Sequence, residues 1–419
     1  MAEDDERDWS TLGVGDSAER IVCHVDMDCF YAACERLKEP ALRGEPVVVG
    51  MGYDPDEEHG AVATASYEAR EYGVESAQGI ETAMERLPPV ERAREDDDLD
   101  PADAGYYRPV DMEFYESVSE DVKAILREVA DTLREVSIDE AYLDVTESTD
   151  WAYVAGVARH LKNRIASEVG VTASVGVAPT MAAAKIAADH DKPDGLVVVD
   201  PDDVEGFLAP LDVERLHGIG PVTAGELREA GIGTIGDLAA VGESWVRERY
   251  GERGSELHER ARGEDDREVR PAGEPKSLSR ESAFAEATAA VEEKRETVEA
   301  LAAAVADRAR REGALYRTAG IKVVEPPFEV HTRAESLSGP IDDPDLLVEI
   351  ALDLLGEFRD RPVRKLGVRV SNLTFTDGEQ ADLGEWEGVE TESDVTRESG
   401  RGDDGGPQGQ ASITDFDAE

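Results

Sequence analysis

The chain has 419 residues, with 96 Asp and Glu against 44 Lys and Arg, a formal net charge of -52. Its length allows roughly two to four domains, and 40% hydrophobic but only 5% aromatic content implies mainly aliphatic cores. Such acidity ordinarily excludes a phosphate-backbone partner. Here, however, it is spread along the whole chain, the pattern of a protein adapted to molar salt, where a Debye length of about 3 Å screens repulsion from nucleic acid as well.

Residues 1–19 are polar and acidic, with no apolar leader segment, and read as a flexible arm. Residues 21–31, IVCHVDMDCFY, read as a buried strand running into a helix, with Asp28 as the helix N-cap. The three cysteines, Cys23, Cys29 and Cys34, fall in this one region; an odd count without disulfide spacing points to reduced thiols packed as small core residues in a cytoplasmic protein. Short strands follow at 46–50 and 61–66, the second leading into a helix near Tyr67. Residues 93–104, with Asp96-Asp97-Asp98, read as a solvated connection. Residues 117–133 are helical in period. Then come a strand at 137–145, SIDEAYLDV, a helix at 151–169, a strand at 172–177 and a short Ala-rich helix at 181–188. Strands and helices mixed in this way indicate an α+β or mixed α/β first domain.

After Pro210, residues 216–224 read as helix, glycine turn and new helix, an idea repeated at 231–238. Residues 262–275 are charged and punctuated by Pro and Gly, as in a linker. Residues 276–376 form a further domain, with strands at 276–280, 317–324 and 363–375 and helices near 288–312 and 343–359. Beyond Asp377 the chain is Gly- and acid-rich and is expected to be disordered. No run reaches membrane-spanning length.

Two of these runs place carboxylates inside apolar strands: Asp26 in the first, Asp139 and Glu140 in SIDEAYLDV. Burying a carboxylate is costly without a partner, and neither run contains Lys or Arg. Laid side by side, the strands would form a hard-oxygen site of the kind Mg2+ takes. A two-metal carboxylate site points to phosphoryl transfer.

In order along the chain, VDMDCFYA, TASYEAR, SIDEAYLDV and AKIAADHDKPDG resemble a Y-family DNA polymerase of the polymerase IV type, a resemblance covering about residues 20–376. The resemblance implies an α+β multidomain right hand. Its palm, a mixed sheet plus helices, would take residues 20–37 and 103–199, and its small fingers 38–102. A helical thumb with a helix-hairpin-helix would take 200–262, a linker 263–275, and an α/β little finger 276–376. A disordered acidic tail, 377–419, would hold a clamp-binding peptide at 410–417.

The implied activity is template-directed, low-fidelity translesion synthesis, transferring a nucleotide from dNTP to a primer 3′-hydroxyl with two Mg2+ ions per site. Primer-template DNA, dNTPs and a sliding clamp are the implied partners of a monomeric cytoplasmic enzyme without a membrane segment. Asp26, Asp139 and Glu140 are the implied catalytic and metal-binding carboxylates, with Met27 lending a backbone carbonyl. Tyr31 falls at the steric-gate position, a ring that excludes a ribose 2′-hydroxyl. Phe30, Tyr31, Thr64, Tyr67, Arg70 and Lys192 form the implied nucleotide site, while Lys185 reads as a solvated lysine.

Gly218 and Gly220 would let backbone N–H groups approach a DNA phosphate. Residues 359–369 hold five basic residues and one acid, and Arg361, Arg364, Lys365 and Arg369 read as DNA-backbone contacts. The competing reading is an edge strand guarded by charge. Gln410, Ile413 and Phe416 resemble a clamp-binding peptide whose second aromatic is replaced by Asp417. Residues 80–86 are more acidic than a template-facing fingers segment, and no exonuclease domain fits the remaining length. Two alternatives are a catalytically silent DNA- or clamp-binding scaffold and another palm-domain nucleotidyl transferase or cyclase.

Overall fold

A computed structural model describes residues 20–53 and 60–375. The expected arm at 1–19 and the tail with Gln410, Ile413 and Phe416 lie outside the described residues. The chain divides into two compact units. The first is built on residues up to Gly50, Val62–Gln78 and Thr82–Ala272; the second on the chain from Gly273 with the segments Met51–Ala61 and Gly79–Glu81. In chain order the strands are β1 (Val22–Met27), β2 (Val47–Met51), β3 (Ala61–Ala65), β4 (Tyr106–Pro109), β5 (Thr132–Glu135), β6 (Glu140–Asp144), β7 (Ala173–Ala178), β8 (Leu196–Val198), β9 (Ser277–Thr288), β10 (Ala314–Glu325), β11 (Glu329–Ile341) and β12 (Val363–Phe375).

The first unit centres on a five-stranded sheet in the order β5-β6-β1-β7-β8. Every residue of β1 is buried, which explains why its apolar character runs unbroken instead of alternating. It lies antiparallel between β6 and β7. The Ala-rich helix Met181–His190 packs onto this sheet, started by Thr180, whose hydroxyl accepts from Ala183 N at 3.3 Å. Its approach depends on Gly176 of β7, where a Cβ would stand 2.1 Å from Ala184 O and 2.2 Å from Ala188 N. Only glycine permits that contact.

A second sheet, β3-β2-β4, carries the helix Tyr67–Glu71. Buried Ser66 joins the two, its hydroxyl accepting from Val47 N at 3.0 Å and Ala69 N at 3.3 Å. The third strand of this sheet, β4, ends at Pro109 and runs parallel to β2. The helical region after Pro201 shares one apolar core with the main sheet: Leu208, Leu216, Ile219, Leu227 and Leu238 cluster with Val22, Tyr142 and Met181.

Several expected elements differ in detail. The helix placed at 117–133 runs Met112–Val129, and β5 follows; four residues, TLRE, are too few to show a period. The strand expected from 137 begins at Glu140, after a bend. The helix at 151–169 is Val154–Arg164 followed by a π turn, Ile165–Val169, closed by Gly170 at φ +90°. The segment before the glycine turn is a single 3-10 turn, Val213–Arg215. The expected linker is fastened in its first half. Asp265 is buried and accepts from Ala182 N at 3.1 Å, the Arg20 guanidinium donates to the carbonyls of Asp265 and Arg267 at 2.8 Å, and Val269 enters the core.

The second unit is an antiparallel sheet in the order β11-β10-β12-β9, with the helices Val291–Arg311 and Pro344–Leu355 contributing Val298, Leu301, Val305 and Leu347 to its core. β11 was not expected, because none of its residues is buried and so no apolar face marks it. β12 lies inside the sheet, between β10 and β9, which removes the edge-strand reading of its basic residues. Fully buried Lys294 donates to the carbonyls of Phe358, Arg359 and Arg361 at 3.0, 2.7 and 2.9 Å and so pins the chain entering β12. Among the described residues no helix is long and apolar enough to cross a membrane.

Candidate active site

The pairing of β1 with β6 sets Asp26 opposite Glu140. Asp139 sits in the bend just before β6, fixed from both sides. Its carbonyl accepts from Met27 N at 3.0 Å, and its Oδ1 accepts from the Ser137 hydroxyl at 2.6 Å. Ser137 Oγ in turn accepts from Glu140 N at 3.0 Å. The three carboxylates thus come from one end of two neighbouring strands.

Two lysines face them. Lys192 Nζ lies 2.7 Å from Asp26 Oδ2 and 2.7 Å from Asp189 Oδ1. Lys185 Nζ lies 2.9 Å from both oxygens of Glu140, and each of these side chains is only 15% exposed. The reading of Lys185 as solvated is therefore corrected. His24, fully buried, adds a third neighbour: its Nε2 is 3.6 Å from Glu140 Oε2, and its ring meets Tyr142 edge-on at 4.5 Å. Sequence offered a signal for His24, which is two residues from Asp26 on one strand, but none for the pairing of Lys185 with Glu140, 45 residues away.

The electrostatics describe a site short of positive charge. Burial first, with Glu140 and Asp139 adding repulsion, pushes the Asp26 carboxyl up to about 8 despite Lys192. Burial also raises Asp139, against the Ser137 hydrogen bond. At Glu140 burial pulls upward, but His24 and Lys185 overcome it and hold the carboxyl below the usual range. Burial, outweighed by Asp26 and Asp189, leaves Lys192 firmly protonated. His24 is held below the ordinary imidazole range by burial.

This is a donor set of hard oxygens that suits a divalent cation, with ammonium groups standing where compensating charge is needed. Asp26, Asp139 and Glu140 are neighbours, yet each is drawn to its own cationic or hydroxyl partner. Among the described residues, the His, Cys, Asp and Glu group whose ligand atoms gather within 4.8 Å is a different one: Glu325, Glu329 and His331.

Phe30 and Tyr31 open the helix Phe30–Lys38 and are both buried. Tyr31 stacks on Tyr115 at 4.6 Å, and its buried hydroxyl has no hydrogen-bond partner among the described residues. Asp28 does not cap this helix. Cys29 takes the cap position at φ 40° with no side-chain cap bond. Asp28 instead accepts from Tyr67 OH at 3.2 Å, Ser174 Oγ at 2.9 Å and Asp194 N at 2.8 Å. It ties the helix of Tyr67 and the loop of Lys192 to the main sheet.

Arg70 is exposed, donates Nε to Ala65 O at 3.0 Å and lays its guanidinium over the Tyr67 ring at 4.6 Å. Thr64 is half-buried on β3. Met27 is buried at the end of β1.

Gly218 takes φ +101° and Gly220 precedes the helix Pro221–Glu229; both are exposed while Ile219 between them is buried. On β12 and the turn before it, Arg361, Arg364 and Arg369 are exposed. Arg361 lies over Phe358 at 5.4 Å and Arg364 over Phe328 at 5.5 Å. Lys365 pairs with Glu281 at 2.5 Å, and Lys322 meets the same carboxylate at 2.9 Å.

Comparison with known proteins places the chain in a family. Residues 25–189 match the impB/mucB/samB family, 275–383 its C-terminal domain, and 201–232 the HHH motif of the IMS family. The chain is 62% identical to DNA polymerase IV of Halobacterium salinarum over 89% of this chain and 90% of that protein. It is 42% identical to DNA polymerase IV of Methanoculleus marisnigri over 88% and 99%. Among solved structures, a Y-family DNA polymerase chimera of Dbh and Dpo4 superposes with a TM-score of 0.75 at 30% identity, covering 85% of this chain and all of that one (100%). An insertion ternary complex of Dbh DNA polymerase gives 0.59 at 29%, with the same coverage.

Proposed function

The chain belongs to the Y family of DNA polymerases, of the polymerase IV type, and from that premise we propose that it extends primers across damaged template by a two-metal reaction while tethered to a sliding clamp. It is a DNA-directed DNA polymerase of the translesion class. The observation that carries the mechanistic reading is the register of β1 on β6, with Asp26 opposite Glu140 and Asp139 beside them. Asp26, Asp139, Glu140 and the Met27 carbonyl would hold two Mg2+ ions, which when bound would supply Lewis acidity for the primer hydroxyl and the leaving pyrophosphate.

The protein's own residues do the rest. Lys192, Arg70, Tyr67 and Thr64 bind and orient the triphosphate, the two cations as charged donors to its oxygens. Phe30 and Tyr31 line the sugar side, where the Tyr31 ring rejects a 2′-hydroxyl. Lys185 keeps the Glu140 carboxylate ionised and aimed. Gly218 and Gly220 present backbone N–H groups to a DNA phosphate, and Arg361, Arg364, Lys365 and Arg369 bind the duplex backbone. The interior place of β12 supports that last assignment, since an interior strand needs no charge to guard it. Gln410, Ile413 and Phe416 supply the clamp tether, which raises local concentration at the primer end.

We take palm, fingers, thumb and little finger at the boundaries given by sequence, in a monomeric cytoplasmic enzyme of a salt-adapted cell. The high identity to a Halobacterium salinarum protein supports the salt reading.

Primer extension in concentrated KCl with Mg2+, comparing wild type with Asp139→Ala plus Glu140→Ala, tests the metal site: extension should vanish in the variant, and equal extension by both would sink the assignment. Failure of both at every salt concentration would favour the silent scaffold. A cyclase or other palm transferase is disfavoured by the matched HHH motif and C-terminal domain.

A further inference from the structure

The second unit carries another set of ligand-type side chains, at the hairpin that joins β10 to β11. Glu325 and Glu329 are direct partners across the register, and Val323 pairs with His331. The strand period of two puts Glu325, Glu329 and His331 on one face. One ligand atom from each lies within 4.8 Å of the others: His331 Nε2 is 3.0 Å from Glu325 Oε2 and 3.6 Å from Glu329 Oε1.

Two features ask for a cation here. Like charges directly opposite on a hairpin repel. In addition, Glu325 Oε1 is buried with no hydrogen-bond partner among the described residues, although an ionised carboxylate oxygen is a strong acceptor. Of the neighbouring positive groups, buried Lys294 is within electrostatic reach of Glu325 but gives its hydrogen bonds to the carbonyls of Phe358, Arg359 and Arg361. Arg361 reaches Glu325 Oε2 only at 3.4 Å, with its guanidinium over Phe358, and Arg333 is paired with Glu357 at 2.5 Å. The His331 ring is itself steadied by Phe358, centroid to centroid 5.4 Å.

We propose that Glu325, Glu329 and His331 form a binding site for a divalent transition-metal ion of the zinc class, separate from the polymerase centre. An imidazole nitrogen with two carboxylates suits Zn2+ or Co2+, whereas Mg2+ prefers oxygen alone. The two sites of this chain are therefore distinguished by ligand chemistry. Three protein ligands leave one position for water or an incoming group. Binding there clasps the hairpin and takes over the charge that Arg361 now partly balances.

Co2+ serves as the optical probe, titrated into the full chain with Mg2+ in large excess. Wild type and the Asp139→Ala plus Glu140→Ala variant should both show one visible absorption band of a nitrogen- and oxygen-ligated Co2+, removed by Zn2+. Affinity should fall at least about tenfold in His331→Ala and Glu325→Gln, since even disturbing an outer partner of a metal ligand costs that much. If His331→Ala does not fold by circular dichroism, Glu329→Gln at a 69% exposed side chain makes the same comparison. Absence of the band under excess Mg2+, unchanged affinity in the hairpin variants, or loss of the band in the palm variant would each overturn the proposal.

Discussion

Lys185 Nζ stands 2.9 Å from both carboxylate oxygens of Glu140. The pair is mostly shielded from solvent, so removing the ammonium strands a carboxylate beside two others. Lys185→Met should lower stability by about 2 kcal/mol in chelator, below the full cost of breaking a buried pair because some water reaches it. Added Mg2+ should restore part of that loss by binding the folded form. Urea unfolding with and without Mg2+ checks both statements; an equal loss in the two conditions would show that Glu140 takes no part in metal binding.

Asp28 holds three donors from three separate segments. In Asp28→Ala the buried Ser174 hydroxyl and the Asp194 N–H lose their acceptor, costing about 2–4 kcal/mol. The Lys192 loop and the Tyr67 helix should then hold the triphosphate less firmly. Steady-state kinetics should show KM for dNTP rising more than kcat falls. A pure kcat defect would mean that Asp28 serves the reacting atoms.

Tyr31 presses its ring on Tyr115 and leaves its hydroxyl without a partner. Tyr31→Phe should keep stability and sugar selection, since the ring does both jobs. Tyr31→Ala should raise ribonucleotide incorporation roughly tenfold or more, the scale of a lost steric contact, and destabilise the protein by about 3 kcal/mol or more through the cavity left behind. Competition between dNTP and rNTP in single-nucleotide insertion is the measurement; an unchanged ratio in Tyr31→Ala would remove the gate.

Glu281 sits between Lys365 and Lys322. Burial works to raise its carboxyl, but Lys365 and Lys322 outweigh it and hold the group below the ordinary value. A depressed carboxyl stabilises the fold above the unfolded value near about 4.3, and this contribution is lost as pH falls through the folded value. Glu281→Gln should therefore cost about 1 kcal/mol at neutral pH, with wild type and variant converging in acid. The same change withdraws the carboxylate that both lysines face, so DNA binding should tighten and its salt slope steepen by about one phosphate contact. Fluorescence anisotropy across a salt series reads the second effect.

The grouping of Asp26, Asp139 and Glu140 was legible in sequence because all three interrupt apolar runs, where an acid has no cheap structural reason to be. Lys185 was not legible: on an Ala-rich helix a lone lysine looks like a solubilising group, and its partner lies 45 residues away on β6. Asp28 was misread because its position before a helix fits the capping preference. The left-handed turn at Cys29 takes that cap position, and no local pattern announces such a turn. β11 escaped for want of an apolar face. A strand at 363–375 was expected, but whether it lay inside or at the edge depends on a pairing partner that only the fold supplies.

The close seat of the Ala-rich helix on Gly176 has a consequence for how activity can be lost. Lys185 rides on that helix and Lys192 lies in the loop that leaves its end, so the seat of the helix bears on where both ammonium groups stand. A methyl group at Gly176, well inside the sheet, would meet main-chain atoms of that helix, so the helix carrying Lys185 could not keep its seat. The charge balance around Glu140 is thereby set in part at a residue that has no side chain, and a substitution there should lower primer extension although it adds no group to the carboxylate cluster itself.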